Sequence, residues 1–437
     1  MKPRTAVQDP VHMLYQEHIY PPMSHPLSDP AVTAAAARLA GLAAAVPAKA
    51  CILEIGCCSG HNLIPLAMRW PESQCTGIDL AESSVAEATR RAELAGVTNA
   101  RFLTKNLCRF EPDDGPYDFI IAHGFLSWVP PDVQDALFGF CRKHLAPTGI
   151  ATVSFNLENG WRARFPVILK ARAILAAGAT SIVHALEVLR TVTEVGSAEF
   201  SIIDDMLAKG PGILSFDDFG PVNDPWTLDR FVTTAAGHGL RWLGESDPAA
   251  GEGEGISSAG LDRRRAEDEA TQRTFRSEIL CRNDAPQGKL SANGLSVRAG
   301  RQPFQPEDEE IWRRVAAFSP DCVPLERALP DVAEEKILAG IYSGSLLPRV
   351  EATHYDPTPA EFPQLNPFRL LCAVEHLPLV DAWHKPCGFP VTHYQVLAAM
   401  DGTRSIDELR CLATACCPEL AFEPWLAHLA GRGMFSC

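Results

Sequence analysis

The residues best suited to chemistry lie in the run CILEIGCCSGHNLIPLA, residues 51–67. An apolar stretch carries Glu54, Gly56 and Gly60 bracket a short turn with Cys58 midway between them, and an apolar helix follows. Glycine permits backbone geometry and close ligand approach that a side chain blocks. A glycine turn from strand to helix can therefore hold a nucleotide-bearing ligand against the main chain, although a tight turn without a ligand uses the same residues. Asp79 closes the next apolar run, QCTGIDL, where a carboxylate can accept hydrogen bonds from both hydroxyls of a ribose. Asn106 ends the run after that. Its amide can bond the edge of an adenine, or it can be an exposed turn residue. The third glycine of the dinucleotide fingerprint is missing from EIGCCSG, which disfavours a nicotinamide-dependent oxidoreductase.

The elements that must position these residues alternate in type. CILEIG, QCTGIDL, ARFLTKN, YDFIIAHGF and GIATVSFN read as strands. HNLIPLAMRW, ESSVAEATRRAELAG closed by Gly96, and DVQDALFGFCRKHLAPTG read as helices between them. This alternation predicts a parallel sheet covered on both faces, with ligands bound beyond the carboxyl ends of its strands. Upstream, the alanine-rich segment 31–45 predicts a helix capped by Asp29 with Pro30 at its first position.

The chain of 437 residues is long enough for two or three domains. Its 46% hydrophobic and 21% charged composition is that of a globular protein. No stretch is long and apolar enough for a signal peptide or a membrane span, so a cytoplasmic location is expected. A net charge of −15 opposes nucleic-acid binding and suits a cationic partner or plain solubility. Of the fourteen cysteines, Cys51, Cys281 and Cys372 sit in apolar runs as reduced thiols would. Cys57–Cys58 and Cys416–Cys417 are adjacent pairs without the spacer that lets two thiolates share an ion, so no metal is expected.

With these residues in hand, the chain resembles the class I S-adenosylmethionine methyltransferases. Glu54, Gly56, Gly60, Asp79 and the strand YDFIIAHG carry that resemblance. EIGCCSGHNLIPLA, AHGFLSWVPPDV at 122–133 and VSFNLENGW at 153–161 are similar to one branch, the bacterial protein lysine methyltransferases with a methyltransferase regulatory domain. The segments 217–245 and 273–281 resemble that regulatory domain, and YQVLAAMDGTRSIDELRCLA, 394–413, resembles the C-terminal domain. The sequence departs from the branch at Cys58, Phe155, Asn159 and Phe216, and from the wider superfamily at Asn106.

The resemblance implies a Rossmann-like α/β domain at 46–162 behind an arm and helix at 1–45, followed by a helical regulatory domain at 163–285. A linker at 286–335 then leads to a small, mainly helical C-terminal domain at 336–437, with a winged-helix-like form as one option. It implies S-adenosylmethionine as cofactor, held by Glu54, Gly56, Cys58, Gly60, Asn62, Asp79, Leu80, Asn106, Leu107 and His123. The methyl acceptor it implies is a lysine-bearing bacterial protein. An aromatic or apolar pocket beside a sulfonium favours the neutral amine that such transfer needs. Residues placed for that pocket are His123, Phe125, Ser127 and Trp128, then Asn156 and Trp161, with Tyr15, Tyr20 and His25 from the arm. For either tryptophan alone, core packing is the competing role. A natural-product acceptor fits the same residues, and so does a catalytically silent binding module. The glycine- and serine-rich stretch 246–260 reads as a flexible loop.

Overall fold

The computed structural model describes residues 10–250, 258–303 and 306–435. Residues 251–257 of the expected loop lie outside this set. The five strands read from sequence form as β1 (Cys51–Ile55), β2 (Gln74–Asp79), β3 (Ala100–Thr104), β4 (Tyr117–Ala122) and β5 (Leu145–Asn156). They pair in parallel in the order β3-β2-β1-β4-β5. The chain order reverses between β1 and β4, and in such sheets this crevice receives the ligand. Two further strands, β6 (Leu240–Glu245) and β7 (Phe275–Arg282), complete a seven-stranded sheet. β7 runs antiparallel between β5 and β6. The segments expected to build the regulatory domain therefore return in part to the sheet of β1–β5. The physical cause is β7, whose interior residues are buried throughout, as an inner strand covered on both faces requires.

The two faces of the sheet alternate with period two. Ile52, Phe119 and Ile150 face one core, whereas Leu53, Ile120 and Ala151 face the other. The helices α1 (Pro10–Glu17) and α2 (Pro30–Leu39) form the N-terminal arm and its anchor. Then come α3 (Leu63–Arg69), α4 (Glu82–Leu94) and α5 (Pro131–His144) between the strands. Asp29 caps α2 as the sequence predicts, its carboxylate accepting from Ala31 N, and Pro30 occupies the first turn. Gly96, with φ +69°, ends α4.

After β5, α6 (Glu158–Ala176), α7 (Ile182–Val192), α8 (Ala198–Ala208) and α9 (Pro211–Phe216) pack into a helical unit around a separate core that includes Trp161, Leu186 and Met206. The helix α10 (Leu228–Gly237) leads back into β6.

Residues 286–335, expected to be a linker, are largely folded. β8 (Ser296–Ala299) and β9 (Val323–Pro324) pair with each other, and β8 also pairs with β10 (Leu346–Arg349), giving a three-stranded sheet. The polar, glycine-rich composition hid a strand of only four residues whose partner lies downstream. The remaining C-terminal chain is mainly helical, and Ser405 with Glu408 forms the expected capping box.

Three parts of the chain meet at Asp29. Its buried carboxylate takes Arg69 of α3 and Arg349 of β10, each at 2.8 Å. Burial raises this carboxyl's pKa, but the two guanidinium groups more than reverse that and hold it well below the ordinary carboxylate range.

Candidate active site

A cavity of about 420 Å³ opens at the carboxyl ends of β1, β2 and β4. The turn after β1 forms one wall. Gly56 and Gly60 both adopt φ +75°, and Cys58 between them adopts φ +47°, in the left-handed region that favours glycine. The Cys58 main chain is held there by Asp79, whose Oδ2 accepts from Cys58 N at 2.9 Å while its Oδ1 accepts from Ala81 N at 2.9 Å. Each carboxylate oxygen can accept a second hydrogen bond, so this role and a ribose contact are compatible. The Cys58 thiol points at the arm, 3.9 Å from the carbonyl of Tyr20. Burial, then Asp79, pushes that thiol up to about 11, so it stays protonated near neutral pH.

Glu54, Gly56, Cys58, Asn62, Asp79, Leu80, Asn106, Leu107, His123, Trp128, Asn156 and Tyr20 all line this cavity, as do Tyr15, His25, Phe125 and Trp161. Glu54 is buried; its Oε1 accepts from Asn62 at 2.7 Å, and its Oε2 has no partner. Burial raises this carboxyl from 4.5 to about 8, against the Asn62 hydrogen bond. A buried acceptor with an unmade bond beside a cavity fits the ammonium of a methionine-derived ligand.

Two expected site residues stand elsewhere. Ser127 is fully buried, with its hydroxyl accepting from Asn156 N at 2.9 Å, so it positions the β5 end and does not face the cavity. Gly60 also lies off the cavity; a Cβ there would meet Ala88, Ile64 and Phe102 at 3.0–3.1 Å, so its role is helix-to-sheet packing. Asn62 touches the cavity, but its amide already serves the protein. Its Nδ2 donates to Glu54 and Ser28, and its Oδ1 accepts from His25 N at 2.9 Å and from His384 Nε2 at 2.7 Å. Asn106 Oδ1 accepts from Cys108 N, which makes it a turn cap.

His123 stacks on His25 with ring centroids 3.9 Å apart, and its Nδ1 is enclosed without a partner. Burial first, then His25 and His384, holds its pKa well below the usual imidazole value, so the ring is neutral. Burial likewise lowers His25 to about 4. Phe216 packs against Tyr15 and Tyr20, at 5.0 and 5.2 Å between centroids, and pins the arm. Phe155 stacks on Phe231 in the core, and Asn159 donates to Glu269. Neither departure from the branch reaches the cavity.

The helical unit brings residues that sequence reasoning missed: Arg164 of α6, Lys209, and Asp217 after α9. Asp217 Oδ1 accepts from the Tyr20 hydroxyl at 3.2 Å. Burial, opposed in part by Lys209, raises Asp217 from 3.8 to about 6. Trp161 and Trp128 meet edge to face at 6.1 Å beside these charges. No spacing in the sequence marks Asp217. The only signal is that it opens the DDFGP run that follows Phe216.

Residues 52–149 match the family model described as Methyltransferase domain. Fold and match together mark this part of the chain as a methyltransferase domain of Rossmann-like fold. Over the whole molecule, the fold is similar to that of PKMT2 from Rickettsia typhi, with a TM-score of 0.77 at 19% identity, covering 94% of this chain and 96% of that one. The structure of the same protein in complex with AdoHcy superimposes with a TM-score of 0.74 at 20% identity, covering 94% and 98%. At such identities the likeness is one of fold. In sequence, the uncharacterized protein RP789 of Rickettsia prowazekii is 28% identical in an alignment of 305 positions that covers 62% of this chain and 53% of that protein. A second Rickettsia prowazekii protein, RP028, is 33% identical over 147 residues, 34% of this chain and 59% of its own length. The chain thus spans little more than half the length of these relatives. Among the described residues, no helix is long and apolar enough to cross a membrane.

Proposed function

We propose that this chain transfers a methyl group from S-adenosylmethionine to an amine, the side chain of a lysine in a protein. The observation that carries the reading is the composition of one cavity. It holds a partnerless buried acceptor, Glu54 Oε2, and Asp79 on the strand edge, together with an aromatic wall bearing Asp217. The sequence resemblance to protein lysine methyltransferases and the fold shared with PKMT2 support the choice of acceptor.

Bound S-adenosylmethionine supplies a methyl group on a sulfonium, open to in-line attack by a lone pair. Glu54 would take the ammonium end, Asp79 the ribose hydroxyls, and Leu80, Asn106 and Leu107 the base. Trp128, Trp161 and Tyr20 would flank the acceptor's alkyl stem and exclude water. An incoming ammonium must shed a proton, and Arg164 and Lys209 beside it disfavour its charged form. Asp217, with a pKa near 6, is the group placed to accept that proton. His123, neutral and with Nδ1 unused, can hydrogen-bond the amine without competing for the proton.

The test is calorimetric titration with S-adenosylmethionine and S-adenosylhomocysteine, followed by transfer of labelled methyl to lysine-containing proteins, with the modified atom located by mass spectrometry. Tight binding with no transfer, to itself or to any added protein, would leave a silent binding module. Label on an oxygen or on a small molecule would sink the lysine assignment.

A further inference from the structure

Arg164 is the basic counterpart of Glu54 in this cavity, a buried group whose bonding is incomplete. It is buried, and its Nε lies 3.4 Å from Asp218 Oδ1. Its Nη2 is enclosed and has no hydrogen-bond partner, although the residue lines the cavity. The other oxygen of Asp218 is taken by Lys209 Nζ at 2.7 Å, and Asp218 itself is fully enclosed. Both cations also approach one aromatic ring, with the Arg164 guanidinium 5.7 Å and the Lys209 ammonium 6.0 Å from the centre of Trp161. A buried guanidinium with an unmade bond carries an uncompensated desolvation cost, and its planar fork matches a carboxylate in two parallel bonds. Asp218 takes Nε from behind and leaves Nη2 without a partner.

We infer that Arg164, supported by Lys209, forms an anion subsite in the acceptor half of the cavity that reads a carboxylate carried by the substrate close to the methylated amine. This rests on the methyltransferase reading and extends it. The substrate would be a lysine flanked by glutamate or aspartate, or a molecule with amine and acid at that separation. A single negative charge fits better than a phosphate dianion, because the carboxyl of Asp217 lies next in the chain to Asp218 and faces the same cavity. The arrangement places a group for each end of such a substrate, Asp217 with Tyr20 for the amine and Arg164 with Lys209 for the acid.

The experiment titrates the full chain, with and without S-adenosylhomocysteine, with the capped dipeptides acetyl-Lys-Glu-amide and acetyl-Glu-Lys-amide and their glutamine counterparts. Heat and the intrinsic tryptophan fluorescence are both read. The expected result is that at least one glutamate dipeptide binds about tenfold or more tightly than its glutamine partner, a difference of about 1.4 kcal/mol. That ratio should fall to near one in Arg164→Gln. Because either change leaves Asp218 with one partner, thermal unfolding is read beside the titrations, and Lys209→Gln, at the more exposed of the two positions, is the second variant and should reduce the ratio while the protein stays folded. Equal or undetectable binding of the acidic and neutral dipeptides by the wild type overturns the subsite. So does discrimination that survives both substitutions. A collapse of S-adenosylhomocysteine affinity in Arg164→Gln, with dipeptide preference unchanged, would give the guanidinium to the cofactor. Displacement of the acidic dipeptide by millimolar inorganic phosphate but not by acetate would overturn the carboxylate assignment. If the wild type binds no S-adenosylhomocysteine, the methyltransferase reading fails, and the titrations without it still decide the subsite.

Discussion

His384 Nε2 lies 2.7 Å from Asn62 Oδ1, although 322 residues separate them in the chain. The same amide holds His25 and Ser28 of the arm and Glu54 at the cavity. One buried side chain therefore ties the C-terminal part of the chain, the arm and the turn after β1 together. Asn62→Ala strands several buried polar groups at once and should cost about 3 kcal/mol of stability in denaturant unfolding. A loss below about 1 kcal/mol would show that the contacts are not coupled.

Glu54 links cofactor binding to pH. Its carboxyl is raised from 4.5 to about 8, so the stability it contributes is fully present below 4.5 and is lost as pH rises through about 8. Pairing with a ligand ammonium would ionise it, so binding at pH 7 should release about one proton per site. Calorimetry in two buffers of different ionisation enthalpy measures this. In Glu54→Gln both the proton release and the stability slope over this range should vanish, and a slope unchanged from wild type would reassign them to another group.

Asp79→Ala removes two main-chain hydrogen bonds and, with them, the proposed ribose contact. S-adenosylhomocysteine affinity should drop at least about tenfold, and stability by about 1–2 kcal/mol, with the protein still folded. Unchanged affinity in the folded variant would detach Asp79 from the ribose.

Cys58 and Gly60 make opposite predictions within one turn. Cys58→Gly relieves a left-handed residue at φ +47° and should raise stability by about 1 kcal/mol with binding intact. Gly60→Ala adds a methyl at φ +75° into contacts of 3.0–3.1 Å and should cost about 2 kcal/mol, while the folded fraction binds normally. Thermal unfolding paired with titration separates the two effects. A large binding loss in Cys58→Gly would give the thiol a role beyond its contact with the arm.

The strands and helices around the cavity were legible because apolar periodicity and glycine turns act locally. Asp79 followed from those turns and Glu54 from the family resemblance, and both line the cavity. What sequence could not show is direction: Ser127 and Trp128 are adjacent, yet only Trp128 faces the cavity. It also could not show return. Arg164, Lys209 and Asp217 reach the site because four helices fold back over it, and β7 rejoins the sheet more than 100 residues after β5. The misread stretch at 286–335 failed for the same reason, since β8 has meaning only beside β10.

Asp29 makes these divisions unsafe as places to cut. A fragment trimmed to the matched residues 52–149 would keep Arg69 and lose the carboxylate it is buried against. One ending before β10 would leave Asp29 with a single cation, and Asn62 without His384. Excision would therefore damage the cavity wall before any chemistry could be measured. Activity, or its absence, has meaning only in a piece that keeps Asp29, Asn62, Arg69, Arg349 and His384 together.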